Sequence, residues 1–122
     1  MSFKPGDISL VCFPYTNMQR GKYRPVLLLS KMPGHFNDWL ICAITSQSRH
    51  EIKNWDEKIG RTDDDFKSSG LKTQSLIRIG KLATVEEDVF EGMLGEVSPD
   101  RLMRVLKRIS THLEREVSGH EL

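Results

Sequence analysis

The sequence changes character at one point, the tripeptide Ser98-Pro99-Asp100. Before this point, short runs of apolar and β-branched residues alternate with polar segments that contain glycine and proline. After it, apolar residues recur every three or four positions. Serine is a favourable N-cap, and proline is well tolerated at the first position of a helix because no partner exists there for a backbone N–H. The pattern predicts several short strands followed by one C-terminal helix.

Short runs of strand-forming residues occur at intervals along the first four fifths of the chain. The predicted strands are residues 7–13, 25–30, 39–45, 75–79, 81–84 and 92–97. Residues 25–30 are apolar throughout, so we expect this strand to be buried on both faces. Strands and helices do not alternate, which argues against a doubly wound fold. We therefore predict a small antiparallel barrel or sandwich with a terminal helix.

The predicted helix carries one apolar stripe and many cations. The stripe expected to be buried consists of Leu102, Val105, Leu106, Ile109 and Leu113. The basic residues on the remaining surface are Arg101, Arg104, Lys107, Arg108 and Arg115. A basic helix face can bind RNA, but a solvated face is the simpler interpretation. The acidic run of residues 63–65 is likewise predicted to be a solvated loop, because three consecutive carboxylates point in different directions.

Length and composition limit the classes of protein that this chain can represent. Its 122 residues, 38% hydrophobic and 29% charged, suit one globular domain over residues 1–122. No apolar run approaches the ~20 residues of a membrane-spanning helix, and no signal peptide is evident, so we expect a cytoplasmic protein with no membrane partner. The net charge is only +1, so a polyanionic ligand requires a local basic patch.

The motifs of common catalytic sites are missing from the sequence. It has no phosphate-binding loop, nucleophile elbow or dinucleotide fingerprint, and its four histidines form no zinc-type pair with each other or with a cysteine. Cys12 and Cys42 each lie in an apolar run and are predicted to be reduced and buried. We therefore predict neither a metal nor a cofactor, which leaves metal-free chemistry or binding.

Two polar residues at the ends of predicted strands are candidates for an anion site. Arg24 precedes Pro25, whose ring favours an extended backbone at the arginine, and Thr45 ends the run of residues 39–45. A guanidinium offers a fixed fork of donors that matches phosphate oxygens, and a threonine hydroxyl can donate one more hydrogen bond. Both residues are also common in loops and strands without any function.

Four segments resemble the MazF/PemK family of toxin endoribonucleases, and they occur in the family's order over nearly the whole chain. They are GDISLVCFPYT, RPVLLLS, AITSQ and GLKTQSLIRIGKLAT, and the strand and helix from Met93 onward add to the likeness. The resemblance implies an SH3-like barrel of the CcdB/MazF toxin type that is mainly β with a C-terminal helix. It also implies a homodimer, metal-independent cleavage of single-stranded RNA to 2′,3′-cyclic phosphate and 5′-hydroxyl ends, and inhibition by a cognate antitoxin.

The resemblance assigns roles to individual residues. The family's catalytic arginine, which precedes a proline, corresponds to Arg24, and its catalytic threonine corresponds to Thr45. The residues expected to bind substrate are Phe13, Tyr15, Gln19, Arg20, Lys22, Tyr23, Gln47 and Arg49. An arginine stays protonated near neutral pH, so we assign charge stabilisation to Arg24 and leave the general base open.

The sequence departs from the family pattern before the arginine. Residues 17–20 read NMQR where many members have Gly-Ser-Glu-Gln, and Tyr23 stands where some members have histidine. The RNA motif that is cut therefore does not carry over, and an aromatic ring at Tyr23 could stack on a base. Two alternatives remain open: a CcdB-like toxin that acts on gyrase, and a catalytically silent relative that only binds RNA or an antitoxin.

Overall fold

The computed structural model describes residues 2–12 and 22–119. Six strands, two α-helices and two short 3₁₀ helices account for most of these residues. The strands are β1 (Asp7–Cys12), β2 (Tyr23–Lys31), β3 (Asp38–Thr45), β4 (Glu57–Ile59), β5 (Ser75–Glu86) and β6 (Met93–Glu96). The α-helices are α1 (Phe66–Ser69) and α2 (Pro99–Gly119), and the 3₁₀ helices are Ser48–His50 and Glu87–Val89. None of the helices described is long and apolar enough to cross a membrane.

The strands form one antiparallel sheet in the order β4-β5-β3-β2-β1-β6. The sheet curls into a half-barrel, and α2 packs against it, which confirms the predicted mainly β fold with a C-terminal helix. Two predicted strands, 75–79 and 81–84, are one strand, β5. The neighbouring β3 residues Cys42 and Ala43 pair with Leu82 and Arg78 of β5, which are four positions apart in the sequence. The residues between Arg78 and Leu82 therefore bulge from β5. Such bulges bend a strand and increase its twist, which favours curling.

Both faces of the central strands are buried. On β2, Leu27 and Leu29 belong to the cluster that packs under α2, whereas Val26 and Leu28 belong to a second cluster on the opposite face. Alternation along a strand sends successive side chains to opposite faces, so a strand covered on both sides must be apolar throughout. The prediction that residues 25–30 are buried on both faces is confirmed for Val26 to Leu29.

Helix α2 begins where the sequence predicts. The Ser98 hydroxyl oxygen accepts a hydrogen bond from the Arg101 N–H at 3.2 Å, the usual N-cap contact with the third helical residue. Val105 is fully buried, and Leu102, Leu106 and Ile109 pack against the core. The prediction for Leu113 is wrong, since this residue is 58% exposed. Residues 112–119 are all exposed, so the last two turns of the helix extend beyond the sheet that covers the earlier turns.

Arg101 and Asp65 contradict the prediction that their side chains are solvated. Each is only 5% exposed, and they form a bidentate pair with N···O distances of 2.8 and 3.0 Å. Arg101 also bonds Glu57 at 2.9 Å, and Asp65 accepts the N–H of Ser98 at 2.9 Å. A buried charge is tolerated only when it is paired and hydrogen-bonded. This cluster, the Arg101 clamp, joins the start of α2 to β4 and to the loop before α1.

The Arg101 clamp makes the stability of the fold depend on pH. Burial by itself would raise the pKa of Asp65. The hydrogen bonds from Arg101 and from the Ser98 N–H, together with the charge of Arg101, outweigh burial and hold this pKa below its ordinary value of 3.8. The stabilisation is therefore fully present above the ordinary pKa and is lost as the pH falls through the lower, folded value.

We expect Asp65→Asn to lower the free energy of unfolding by about 3 kcal/mol at neutral pH, because Arg101 then loses its bidentate partner. Between about pH 5 and pH 3 the variant should lose stability less steeply than the wild type, since the group that takes up the proton is gone. Urea unfolding across this range measures both effects. Asp64→Asn, an exposed neighbour in the same loop, is the matched control. Parallel pH profiles for Asp65→Asn and the wild type would show that the clamp does not titrate as described.

Candidate active site

The first residues of β2 lie beside the last residues of β3. The two strands are bridged through Val26 with Ala43 and Leu27 with Cys42. Continued two residues past the last bridged pair, this antiparallel register aligns Arg24 with Thr45. On its other side Arg24 is opposite Val11 of β1, and Thr45 is opposite Leu76 of β5. The sequence-predicted pair therefore occupies neighbouring positions at one end of the sheet.

Arg24 and Thr45 also share a face of the sheet. Arg24 alternates in phase with Val26 and Leu28, and Thr45 alternates in phase with Ile41. Those three apolar residues form the cluster on the face opposite α2. Directly opposed residues of an antiparallel pair project to the same side of the sheet. The arginine and the threonine thus extend from the strand ends on the side that the helix leaves uncovered.

The Thr45 hydroxyl is oriented by the turn that follows β3. Its oxygen accepts a hydrogen bond from the Gln47 N–H at 3.1 Å, and the chain then enters the 3₁₀ helix Ser48–His50. A hydroxyl can accept and donate at the same time. Because the turn uses an acceptor position, the hydroxyl hydrogen is left to donate, and half-burial of the side chain restricts its motion. Thr45 can therefore present a fixed donor to an anion.

Arg24 has no competing acceptor within the described parts of the chain. Its side chain is exposed, and no ion pair or side-chain hydrogen bond joins it to any residue in the ranges 2–12 and 22–119. An exposed arginine gains little stability from an ion pair, so the lack of a carboxylate partner does not by itself define a site. Next to Thr45, however, it leaves the full guanidinium fork available to a ligand with two oxygens.

Arg78, which is not among the residues predicted from the sequence, lies beside this pair. It is opposite Ala43 on β5, which makes it a diagonal neighbour of Thr45 on the same face. The side chain is half-buried, and no described residue pairs with it. The available signal was a cation inside the apolar run Ser75 to Ile79, at a position that strand alternation places on the face opposite α2. Three polar groups, Arg24, Thr45 and Arg78, therefore occupy one corner of the sheet.

The remaining predicted binding residues surround this corner or fall outside the described chain. Lys22 is exposed just before β2, and Tyr23 is 48% exposed on the sheet face opposite that of Arg24. Gln47 precedes the 3₁₀ helix, and Arg49 is exposed within it. Phe13, Tyr15, Gln19 and Arg20 lie outside the described residues. Beyond Thr45, a small groove of about 190 Å³ is lined by polar side chains that include Ser46, Ser48 and Lys58.

No metal site accompanies the cluster in the described part of the chain. Across residues 2–12 and 22–119, no three His, Cys, Asp or Glu side chains come together in a way that could hold an ion. Both cysteines are free thiols, and burial, with a smaller effect of the nearby Asp56 charge, raises the pKa of Cys42 to about 12. A thiol with so high a pKa is protonated at neutral pH and is a poor nucleophile.

Comparisons with known proteins define the class of protein. A family model described as the PemK-like, MazF-like toxin of type II toxin-antitoxin systems matches residues 4–113. Among solved structures, an endoribonuclease in complex with its cognate antitoxin from a mycobacterial species is similar, with a TM-score of 0.66 and 17% identity over 93% of this chain and 96% of that chain. The Mycobacterium tuberculosis toxin MazF-mt6 has a TM-score of 0.64 and 15% identity over 88% of this chain and 96% of that chain.

Among curated proteins, none is similar enough in sequence to count as a match. At identities of 15–17%, the structural likenesses establish the fold. The family match covers most of the chain, so this protein belongs to the PemK-like, MazF-like toxins of type II toxin-antitoxin systems.

Proposed function

We propose that this protein is the toxin of a toxin-antitoxin pair and acts as a metal-independent endoribonuclease on single-stranded RNA. The observation that carries the proposal is the alignment of Arg24 and Thr45 on one face of neighbouring strands, each with donors that no described residue occupies. Family membership supports the same activity.

The reaction is an internal transesterification. The 2′-hydroxyl gives up its proton to a general base and its oxygen attacks the adjacent phosphorus. The bond from phosphorus to the 5′ oxygen breaks and the leaving oxygen takes up a proton, so no net proton is gained or lost. The products are a 2′,3′-cyclic phosphate and a 5′-hydroxyl end. Negative charge grows on the non-bridging oxygens in the transition state, and donors already aimed at those oxygens lower the barrier. Arg24 supplies a charged fork and Thr45 supplies a hydroxyl hydrogen.

The geometry of attack accounts for the preference for single strands. The attacking oxygen, the phosphorus and the leaving oxygen must lie in line, which a stacked A-form helix does not allow without splaying the backbone. We further propose that a cognate antitoxin blocks this corner of the sheet through a segment that folds on binding, that the toxin is a homodimer, and that it works in the cytoplasm. A structurally similar endoribonuclease has been solved in complex with its cognate antitoxin, which supports an antitoxin as partner.

We expect Arg24→Ala and Thr45→Val each to reduce the rate of RNA cleavage by roughly 100- to 1000-fold, the usual effect of removing one transition-state donor. Both positions are exposed or half-exposed at strand ends, so thermal unfolding should change little. The assay is cleavage of single-stranded RNA in EDTA, with mapping of the 5′-hydroxyl ends. Lys31→Ala, an exposed cation at the far end of β2, is the control. Undiminished cutting by both variants would show that these residues take no part in the mechanism. If the wild type cuts RNA without EDTA but not with it, the reaction depends on a metal ion.

We expect Arg78→Ala to raise KM for RNA about tenfold with a smaller change in kcat. A diagonal neighbour on a sheet is ~7–8 Å from Thr45, which suits contact with the phosphate next to the scissile one. Arg78→Lys should keep most of the affinity, since a positive charge is retained. Steady-state kinetics on a short RNA separates KM from kcat. A collapse of kcat with KM unchanged would instead assign Arg78 to the scissile phosphate.

A further inference from the structure

Helix α2 carries a basic groove on the side away from the exposed Leu113 and Val117. The groove has a volume of about 550 Å³ and lies between α2 and the loop that precedes β4. Four cations line it, and no carboxylate does; the cations are Arg104, Lys107, Arg108 and Arg115. Asn54, Trp55, Thr111 and His112 complete the lining. Arg104, Lys107 and Arg115 are exposed, as the prediction of a solvated face requires, and with Arg108 they also form one wall of a concave surface.

Two of the four cations are held in place by the buried carboxylate of Glu57. Arg104 bonds a carboxylate oxygen of Glu57 at 3.0 Å, and Arg108 contacts the other oxygen of the same carboxylate at 2.9 Å. Arg101 also draws on Glu57, so one carboxylate serves three guanidiniums. Glu57 is buried and orients the arginines, and its single negative charge offsets only one of the three guanidinium charges. Ordered guanidiniums lose less side-chain entropy when they bind an anion.

The other two cations have no partner in the described chain. Lys107 and Arg115 make no ion pair or side-chain hydrogen bond with residues 2–12 and 22–119. The residues three and four positions away from them on α2 include no acidic side chain, so the helix offers no intrahelical ion pair. The groove therefore holds a local excess of positive charge, although the chain as a whole has a net charge of only +1. Such an excess fits a ligand with several negative charges.

Trp55 extends the groove toward the candidate active site. Its ring is half-buried at 5.0 Å from the ring of His112, and it also borders a second, smaller groove that contains Arg78, Gly80 and Lys81. Gly80 lies close beneath this ring, since a Cβ there would be 3.1 Å from the indole nitrogen. Arg78 in turn lies on the face of Thr45. Arg78, Lys81 and Trp55 thus connect the two sites around the sheet edge. The smaller groove also contains the carboxylate of Asp56, which is buried and accepts hydrogen bonds from the N–H groups of Ile52 and Ile79.

We propose that the groove between α2 and Trp55 is a second binding site for single-stranded RNA, in which Lys107 and Arg115 hold backbone phosphates and Trp55 stacks on a base. Cationic grooves combined with aromatic rings are the common design for binding single strands. The aromatic ring and the continuity with Arg78 favour RNA over an acidic polypeptide, which needs no stacking surface. This site rests on the proposed function, since it extends the path of the same substrate beyond Arg24 and Thr45.

The test is binding of fluorescein-labelled 2′-O-methyl RNA, which lacks the attacking hydroxyl and cannot be cut. We expect the double variant Lys107→Ala/Arg115→Ala to bind a strand of about 20 nucleotides roughly tenfold more weakly at 0.1 M salt, with a salt slope reduced by about 1.4. A dinucleotide, whose single phosphodiester fills the active site alone, should bind the variant and the wild type equally. The variant leaves Glu57 and its three arginines intact.

Lys31→Ala/Lys67→Ala is the matched control, because it removes two exposed, unpaired cations outside the groove. Trp55→Leu should weaken binding of the long strand about tenfold without changing the salt slope, since stacking releases no counterions. That combination separates a stacking role from a general loss of charge. Arg24→Ala should retain the length-dependent difference, because the groove does not depend on catalysis.

Different failures point to different errors. If the wild type binds and cuts RNA but the groove variant matches the control, this proposal is wrong and the proposed function stands. If the wild type neither binds nor cuts single-stranded RNA, the proposed function is wrong and the groove proposal fails with it. If polyglutamate binds the wild type more tightly than the long strand and loses affinity in the groove variant, the groove serves an acidic polypeptide and the proposal is also wrong.

Discussion

The bidentate contact between Arg101 and Asp65 fixes how the helix sits on the sheet. Arg101 comes from the first turn of α2, Asp65 from the loop before α1, and Glu57 from the edge strand β4, so one guanidinium ties together three parts of the chain that are far apart in sequence. Hydrophobic packing of Val105 and its neighbours is not directional. The ion pairs are directional, and they set which side of α2 faces the core and which side carries the basic groove.

The curled sheet has two differently covered faces, and the proposed RNA path includes Arg24 and Thr45 on one face and the basic groove of α2 on the other side. Apolar residues alternate to both faces of β2 and β3, so α2 covers one face and leaves the other to a smaller cluster around Trp39 and Phe90. Arg24 and Thr45 extend from the second face, at strand ends whose backbone is anchored by the buried residues behind them. Anchoring matters because a donor stabilises a transition state only when little reorganisation is needed during reaction.

Much of the fold could be predicted from the sequence because it depends on local signals. Alternation, Pro25 near the start of β2 and the serine cap of α2 are readable from neighbouring residues. The Arg101 clamp could not be predicted, since its partners are 36 and 44 positions away and a basic residue beside an apolar stripe looks the same whether it is solvated or paired. The predicted burial of Leu113 is wrong for a related reason. Helical periodicity predicts which face of the helix is apolar, but not how far the sheet extends along the helix.

The residues of the candidate site likewise differ in whether local sequence or tertiary structure reveals them. Arg24 and Thr45 were predicted because their segments resemble a family motif, whereas Arg78 depends on register between β3 and β5, which no short motif records. The groove on α2 is harder still to predict from the sequence, because it depends on Glu57, which orients Arg104 and Arg108, and on Trp55, which lines the opposite side. A near-neutral chain can thus concentrate charge where a polyanion would lie. Folding, not composition, brings these cations together, and this is why a net charge of +1 does not reveal the basic groove.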